Sequence, residues 1–235
     1  MSNASNINRS WTGKTRVVEI VGPAGAGKTT LCRALARHTD AIRLENFPDV
    51  RKTADAPFFI SNGLQLIPRL LRLYRPKSRN LTRREFAWMT ILNGWSALLH
   101  REANKGSKVI ILDQGPLYLL AEMRLFGPEY LRQQTAERLW QDFYDRWKDT
   151  LYLVVWLDAD NDVLIDRIRT RKQDHIVKAQ PATVVHEFLN RYRTEYESIL
   201  SILTGKEANL RVLKFDTGRQ QSQDIENQFL SKLRC

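Results

Sequence analysis

The chain has 235 residues, with 37 Lys or Arg against 26 Asp or Glu, so its formal net charge is +11. Its hydrophobic fraction of 43% excludes a wholly disordered chain, because that much apolar surface is enough to build a buried core. The longest apolar run, residues 151–157, is far shorter than the roughly 20 residues of a membrane-spanning helix, so we expect no transmembrane segment.

The order of the predicted elements indicates an α/β protein. Residues 1–15 are polar and are expected to be flexible. Apolar runs predict five strands, at Arg16–Val21, Ala41–Glu45, Lys108–Asp113, Leu151–Asp158 and Leu210–Asp216. Helical spacing predicts helices between them, at Thr29–His38, Leu81–Lys105, Pro128–Lys148, Asn161–Arg171, Pro181–Thr204 and Gln223–Leu233. Such alternation favours a parallel sheet covered by helices on both faces, in a single domain over residues 16–235.

A phosphate-binding motif follows the first predicted strand and opens the first predicted helix. Its residues are Gly22, Pro23, Ala24, Gly25, Ala26, Gly27, Lys28 and Thr29, which match G-x-x-x-x-G-K-[ST] in full. Glycines let the backbone turn its N–H groups toward phosphates, and the following helix directs its positive end at the same anion. We expect Lys28 to contact the β- and γ-phosphates and Thr29 to hold Mg²⁺. Thr30 adds a candidate α-phosphate contact.

Asp113 ends the third predicted strand, directly after the apolar residues Val-Ile-Ile-Leu. An acidic residue at that position is placed to hold Mg²⁺, directly or through water, or to take a proton from an attacking hydroxyl. The alternative is a carboxylate that caps a turn, because Gln114-Gly115-Pro116 follows. Together with the phosphate-binding motif, the position favours a functional role.

These motifs, together with the stretch from Val154 to Arg171, resemble the P-loop small-molecule kinases, above all the thymidylate and deoxynucleoside kinases. The resemblance implies a three-layer P-loop fold with a five-stranded parallel sheet, ATP and Mg²⁺ as cofactors, and a basic lid over about 167–180. It also implies that Arg167 and Arg171 stabilise charge on the transferred phosphoryl group. Gln114 stands where those kinases have Arg, so the resemblance does not name the acceptor.

Residues 46–107, between the phosphate-binding motif and Asp113, have room for a helical acceptor-binding region. Glu45 is placed either to contact an acceptor hydroxyl or to be an ordinary residue at the end of a strand. Trp88 and Trp95 are seven residues apart and share a helix face, as core residues or as pocket residues. The segment Arg69–Arg84 has seven basic residues and no acidic one. Three roles are open for this segment: it binds an anionic substrate, it lies against an acidic lipid surface, or it only faces solvent.

The leading hypothesis is a kinase that transfers the γ-phosphoryl group of ATP to a hydroxyl or a phosphate of a small-molecule acceptor, which we expect to be anionic. The alternative is a nucleotide-hydrolysing switch or binding protein that acts through an anionic partner. A nucleic-acid partner is disfavoured, since no zinc, RNP-type or helix-turn-helix signature is present. With only Cys32 and Cys235 and no secretory signal, we expect a cytoplasmic location. The sequence does not decide whether the chain forms a homodimer.

Overall fold

The computed structural model describes residues 15–38, 41–103, 109–205 and 209–234. The predicted flexible segment 1–15 therefore lies outside the described residues except for Thr15. Five strands form one parallel sheet in the order β2-β3-β1-β4-β5, which confirms the predicted fold class. They are β1 (Arg16–Val21), β2 (Ile42–Glu45), β3 (Val109–Leu112), β4 (Leu151–Asp158) and β5 (Arg211–Asp216).

Helices connect these strands and cover both faces of the sheet. They are α1 (Lys28–His38), α2 (Ala56–Leu73), α3 (Arg83–Ala103), α4 (Pro116–Phe126), α5 (Glu137–Thr150), α6 (Asn161–Thr170), α7 (Ala182–Leu203) and α8 (Ser222–Arg234). Short 3₁₀ turns lie at Thr53–Asp55, Glu129–Arg132 and Gln134–Ala136. In the part of the chain that the structure describes, no helix is long and apolar enough to cross a bilayer.

Alternate residues of the strands enter two separate hydrophobic cores. Val18 and Ile20 of β1 pack on one face with residues of α1, α6 and α8. Val17 and Val21 face the other side, where α3, α4, α5 and most of α7 supply the apolar side chains. This division follows from the two-residue period of a strand, and the near-continuous apolar strands suit a sheet buried on both faces.

The segment between β3 and β4 differs from the predicted elements. The expected helix Pro128–Lys148 is wrong at its start, because the chain forms two 3₁₀ turns there and α5 begins only at Glu137. An additional helix, α4, begins at Pro116, where a turn was one expectation. Proline suits the first turn of a helix, because the N–H group that it lacks would have no hydrogen-bond acceptor within the helix at that position.

The strand order decides where the functional residues meet. β1 lies between β3 and β4, and Glu19 of β1 pairs in register with Leu112 of β3. The loops that follow β1 and β3 therefore leave the same edge of the sheet side by side. The connections after these two strands also run to opposite sides of β1, and such a switch point is where open α/β sheets bind ligands.

Candidate active site

The turn after β1 has the backbone conformation that a phosphate cradle needs. Gly22 has φ +148° and Gly27 has φ +87°, both in the region that favours glycine. A Cβ atom on Gly22 would lie 2.0 Å from the carbonyl oxygen of Leu157, so β4 leaves no room for a side chain. Nothing lies within 4 Å of the corresponding position on Gly27, which indicates that this part of the turn borders open space.

The residues of this turn divide between a cavity and the protein interior. Seven residues of the loop and the start of α1 line a cavity of about 980 Å³: Gly22, Ala24, Gly25, Gly27, Lys28, Thr29 and Thr30. Pro23 and Ala26 are buried and do not line it. Thr29 and Thr30 therefore border the same space as the loop, the position that contact with phosphates and Mg²⁺ requires.

Lys28 is the first residue of α1, and its ammonium group folds back over the loop. Its Nζ atom donates to the carbonyl oxygens of Gly22 and Pro23, at 2.8 and 2.9 Å. Burial lowers the pKa of Lys28 to about 8; Asp113 raises this pKa, whereas Arg171 lowers it further. A bound polyphosphate would favour the charged form, so this cation is suited to an anion arriving from the cavity.

Asp113 lies beside the phosphate loop with an unsatisfied oxygen. Its Oδ1 atom is buried and has no hydrogen-bond partner within the described residues. The Cys32 thiol contacts this carboxylate, and burial raises the pKa of that thiol. No described group of three or more His, Cys, Asp or Glu side chains could hold a metal ion alone. A single carboxylate and the Thr29 hydroxyl nevertheless fit Mg²⁺, which typically binds through one or two protein oxygens plus substrate phosphates and water.

Glu19 is a residue of this site that the motifs did not reveal. Its carboxylate is fully buried and accepts backbone N–H groups of Gly115, Leu117 and Tyr118, at 3.0, 3.0 and 3.1 Å. It thereby caps the N-terminus of α4, three residues after Asp113. Burial raises the pKa of Glu19 to about 8, although the three N–H donors act in the opposite direction. The available signal was a lone acidic residue inside the apolar strand Arg-Val-Val-Glu-Ile-Val.

Two chambers meet at Asp113. The first is the cavity of about 980 Å³ beside the phosphate loop, and its far wall contains the aromatic residues Tyr118, Phe126, Phe188, Tyr192 and Tyr196. The second has about 900 Å³ and is bordered by the aromatic residues Phe47, Phe59 and Trp88 and by Arg51 and Arg83. Arg84, Asp113 and Gln114 belong to the walls of both chambers.

The shared wall between the chambers is built on α3 and α4. The guanidinium of Arg84 lies 4.3 Å from the centre of the Trp88 ring, a cation–π contact that fixes both side chains. Trp88 also meets Tyr118 edge to face, at 6.4 Å between ring centres. Tyr192 donates to the Glu122 carboxylate, and burial raises the pKa of this tyrosine. The chambers therefore combine aromatic surfaces with a few fixed polar groups, as small-molecule sites commonly do.

The two arginines of the predicted lid lie in the first chamber in different settings. Arg167 donates to the Oγ1 and carbonyl oxygen of Thr217, at 2.9 and 2.8 Å, in the loop after β5. Arg171 follows the last residue of α6, and its buried Nε atom has no partner within the described residues. The segment that continues to Pro181 borders the chamber through residues 173–176, and His175 packs against Phe188 at 5.6 Å.

The structure does not bring every candidate residue into the cleft. Glu45 ends β2, its Oε2 atom lies 2.9 Å from Arg43, and it is in the described lining of neither chamber. Trp95 is buried and packs against Trp147 in the core, whereas Trp88 borders the second chamber. The basic segment also divides: Arg84 borders both chambers, but Arg69 pairs with Asp142 and Arg79 with Glu85.

Comparisons with known proteins agree with this architecture. A family model described as an AAA domain matches residues 18–180. Thymidylate kinase from Candida albicans is similar, with TM-score 0.56 and 16% identity over 95% of this chain and 96% of that one. A deoxyadenosine kinase from M. mycoides with dCMP and dCDP bound has TM-score 0.51 and 17% identity, covering 92% and 98%. Shikimate kinase from Bacteroides thetaiotaomicron has TM-score 0.50 and 17% identity, covering 94% and 99%.

No curated protein matches the chain. The similar structures confirm the predicted resemblance to P-loop small-molecule kinases at the level of the fold.

Proposed function

The chain belongs to the AAA-domain family, and we propose that it is an ATP-dependent phosphotransferase acting on a small-molecule acceptor. The observation that carries the proposal is the position of Asp113. This carboxylate borders both the chamber of the phosphate loop and a second chamber of comparable size, and it retains an unpartnered buried oxygen. A group that faces donor and acceptor at once is what phosphoryl transfer requires.

The phosphate loop and α1 would hold the donor. Backbone N–H groups of the loop after Pro23, which itself has no N–H, would bind the phosphates. Lys28 would turn from the carbonyl oxygens of Gly22 and Pro23 to the β- and γ-phosphates. Thr29 and Asp113 would hold Mg²⁺, which when bound neutralises charge on the β- and γ-oxygens. Thr30 would contact the α-phosphate.

Asp113 would orient the acceptor hydroxyl and accept its proton during transfer. A carboxylate with no hydrogen-bond partner for one oxygen is free to take that role. Arg171, with its buried unpartnered Nε, would stabilise the charge on the transferring group. Arg167, which donates to Thr217 and Gly25, would stabilise the same charge from the side of the loop after β5.

The second chamber would bind the acceptor. Trp88 and Phe47 offer flat apolar surfaces, while Arg83 and Arg84 supply positive charge. The charge of Arg51 is already paired with Asp49, which lines the same chamber. These walls favour a ring-containing acceptor with an anionic substituent. The deoxyadenosine kinase with dCMP and dCDP bound supports an acceptor of about nucleotide size, although Gln114 gives this chain a different wall next to Asp113.

A transfer assay with radiolabelled ATP tests the proposal. The full chain is incubated with Mg-ATP and panels of nucleosides, nucleoside monophosphates, sugars and hydroxy acids, and labelled products are separated from inorganic phosphate. We expect label on one acceptor class. Release of inorganic phosphate alone, at a rate that no acceptor changes, would instead support the nucleotide-hydrolysing alternative.

The Asp113→Asn variant separates catalysis from nucleotide binding. We expect kcat to fall about a hundredfold or more, because the amide cannot accept the proton. The Kd for Mg-ATP should change far less, because the loop N–H groups, Lys28 and Thr29 still hold the nucleotide and its Mg²⁺. Glu45→Gln is the matched control, since Glu45 borders neither chamber within the described residues. Equal losses of turnover and affinity in Asp113→Asn would mean that this residue only holds the nucleotide.

A further inference from the structure

We propose that α2 docks the protein onto a bilayer that contains acidic lipids. The surface concerned is a stripe of five apolar side chains along α2 and its C-terminal end: Ile60, Leu64, Ile67, Leu71 and Tyr74. Ile60, Leu64 and Leu71 are 63%, 64% and 69% exposed, and the other two are each 39% exposed. Their spacing of three or four residues puts them on one helix face.

The stripe is separate from the face that holds α2 on the protein. Gly63, Leu66, Leu70 and Leu73 are the buried residues, and they pack toward α3 and the core. Folding of the described chain therefore already uses the other side of α2 and leaves the stripe in water. Single exposed apolar residues are common, whereas these five form a contiguous row along one helix face, and the basic residues beside it give the row its character as an interaction surface.

Positive charge accompanies the stripe. Residues 56–84 include seven Lys or Arg and no Asp or Glu. Arg72, Arg75 and Lys77 are exposed and have no acidic partner within the described chain. They lie next to Leu71 and Tyr74 in sequence, at the C-terminal end of α2. An exposed apolar face with basic neighbours is the combination that binds the surface of an anionic bilayer, where apolar side chains enter the boundary and cations meet the headgroups.

Charge and size favour lipid over a second copy of the chain. If two copies of α2 met in parallel, Arg72, Arg75 and Lys77 of each copy would face the same basic residues of the other. If they met antiparallel, these cations would face the first turn of α2, whose neighbouring carboxylate, Asp55, already accepts the N–H of Asp49. The stripe spans about 21 Å of helix, so one helix width covers roughly 200–250 Å². That area is well below the roughly 800 Å² per partner of a stable protein interface.

Docking would also place the acceptor chamber near the lipid headgroups. Phe59 precedes Ile60 and borders the second chamber, so one end of the stripe adjoins that chamber's wall. Binding to lipid depends only on α2 and its basic neighbours, and it holds or fails independently of the proposed phosphotransferase activity.

Vesicle flotation with the full chain tests the docking. Vesicles of phosphatidylcholine alone are compared with vesicles in which about a third of the lipid is phosphatidylserine, at about 0.1 M and about 0.5 M salt. We expect binding to the acidic vesicles, weakened by the higher salt, and little binding to neutral ones. Equal binding to both vesicles, or to neither, would overturn the proposal.

Two sets of variants assign the binding to this surface. The combined variant Ile60→Ser, Leu64→Ser and Leu71→Ser should lower vesicle binding at least about tenfold. Val184→Ser with Ile202→Ser, two exposed apolar residues of α7, is the matched control and should bind as the unmodified chain does. Arg72→Ala, Arg75→Ala and Lys77→Ala should each weaken binding about fivefold and reduce its salt dependence.

Circular dichroism and thermal unfolding verify that each variant is folded. Unchanged vesicle binding in the folded Ile60→Ser, Leu64→Ser and Leu71→Ser variant would refute the assignment. Sedimentation velocity without lipid measures whether the chain is a monomer or a dimer. If the unmodified chain is a dimer that does not bind vesicles, and the triple-serine variant is a monomer, the stripe is covered by a second copy and the lipid proposal is overturned.

Discussion

Replacing Glu19 by Gln tests whether a buried side chain of β1 positions the loop that carries Asp113. Oε1 accepts the N–H groups of Gly115 and Tyr118, and Oε2 accepts that of Leu117. Near pH 5 the buried Glu19 is protonated, and its hydroxyl oxygen can still accept an N–H. Glutamine has nearly the same volume, but its NH₂ group cannot accept, so at least one buried N–H loses its partner. Leaving a buried donor unsatisfied costs about 1–3 kcal/mol, so we expect a loss of about 2 kcal/mol near pH 5.

The stability difference should depend on pH in a defined direction. Burial raises the pKa of Glu19 from 4.5 to about 8, so the folded protein keeps a proton that the unfolded chain loses within this range. The contribution of the protonated group to the free energy of unfolding is fully present below pH 4.5 and is lost as the pH rises through about 8. The free energy of unfolding of the unmodified chain should therefore fall relative to that of Glu19→Gln by roughly 1.4 kcal/mol per pH unit, so that the difference vanishes at about pH 6.5 and has the opposite sign by pH 8.

Urea unfolding at several pH values between 5 and 8.5 measures this difference directly, and turnover near pH 7.5 measures the effect on the site. We expect Glu19→Gln to lose about tenfold or more in kcat, because displacement of Gly115 displaces Asp113, while Mg-ATP affinity changes little. Leu203→Ala is the control: it empties buried volume at the end of α7, costs about 2–5 kcal/mol and should keep its kcat. A stability gap that does not change with pH, or unchanged kcat in Glu19→Gln, would refute this reasoning.

Two further predictions concern the walls of the cleft. Because burial lowers the pKa of Lys28 to about 8, Mg-ATP affinity should decline above that pH by up to about tenfold per unit, and binding near pH 8 should take up protons. Calorimetry in two buffers of different ionisation enthalpy measures that uptake, and an affinity that stays constant up to pH 9.5 would contradict the assigned pKa. Trp88→Ala should raise the KM of the acceptor about tenfold and leave Mg-ATP affinity unchanged, since Trp88 borders only the second chamber and supports Arg84. Steady-state kinetics decides this, and a weakened affinity for Mg-ATP would place Trp88 on the donor side instead.

The sequence alone predicted those parts of the fold whose physical cause is local. The predicted bounds of β1 and β4 agree with the structure, because each is a short apolar run of a strand buried on both faces. The phosphate loop was equally predictable, since the motif places glycine at Gly22 and Gly27, where the backbone adopts positive φ angles that glycine tolerates without strain. The helix α4 was not predictable from its pattern: six of its first eight residues are buried, so it has no exposed polar face to give a helical period.

The chambers depend on contacts between residues that are distant in the chain, and no local pattern contains them. Glu19 and Gly115 are 96 residues apart, yet the pairing of β1 with β3 brings them to 3.0 Å. Trp88 and Trp95 have the same residue type on one helix, but only the structure assigns Trp95 to the core and Trp88 to the cleft. The basic segment likewise divides between Arg84 in the cleft and Arg72 at the surface stripe, a distinction set by the turn between α2 and α3.

The central claim is that the loop after β1, together with Lys28, binds the triphosphate of ATP. Isothermal titration of the folded chain with Mg-ATP near neutral pH tests it most directly, with Lys28→Ala as the variant and Lys232→Ala, an exposed lysine on α8, as the matched control. We predict saturable binding at one site, retained in Lys232→Ala and weakened at least about tenfold in Lys28→Ala, because the phosphates lose their buried cation. No uptake of Mg-ATP by the folded chain, or equal affinity in Lys28→Ala, would contradict the account.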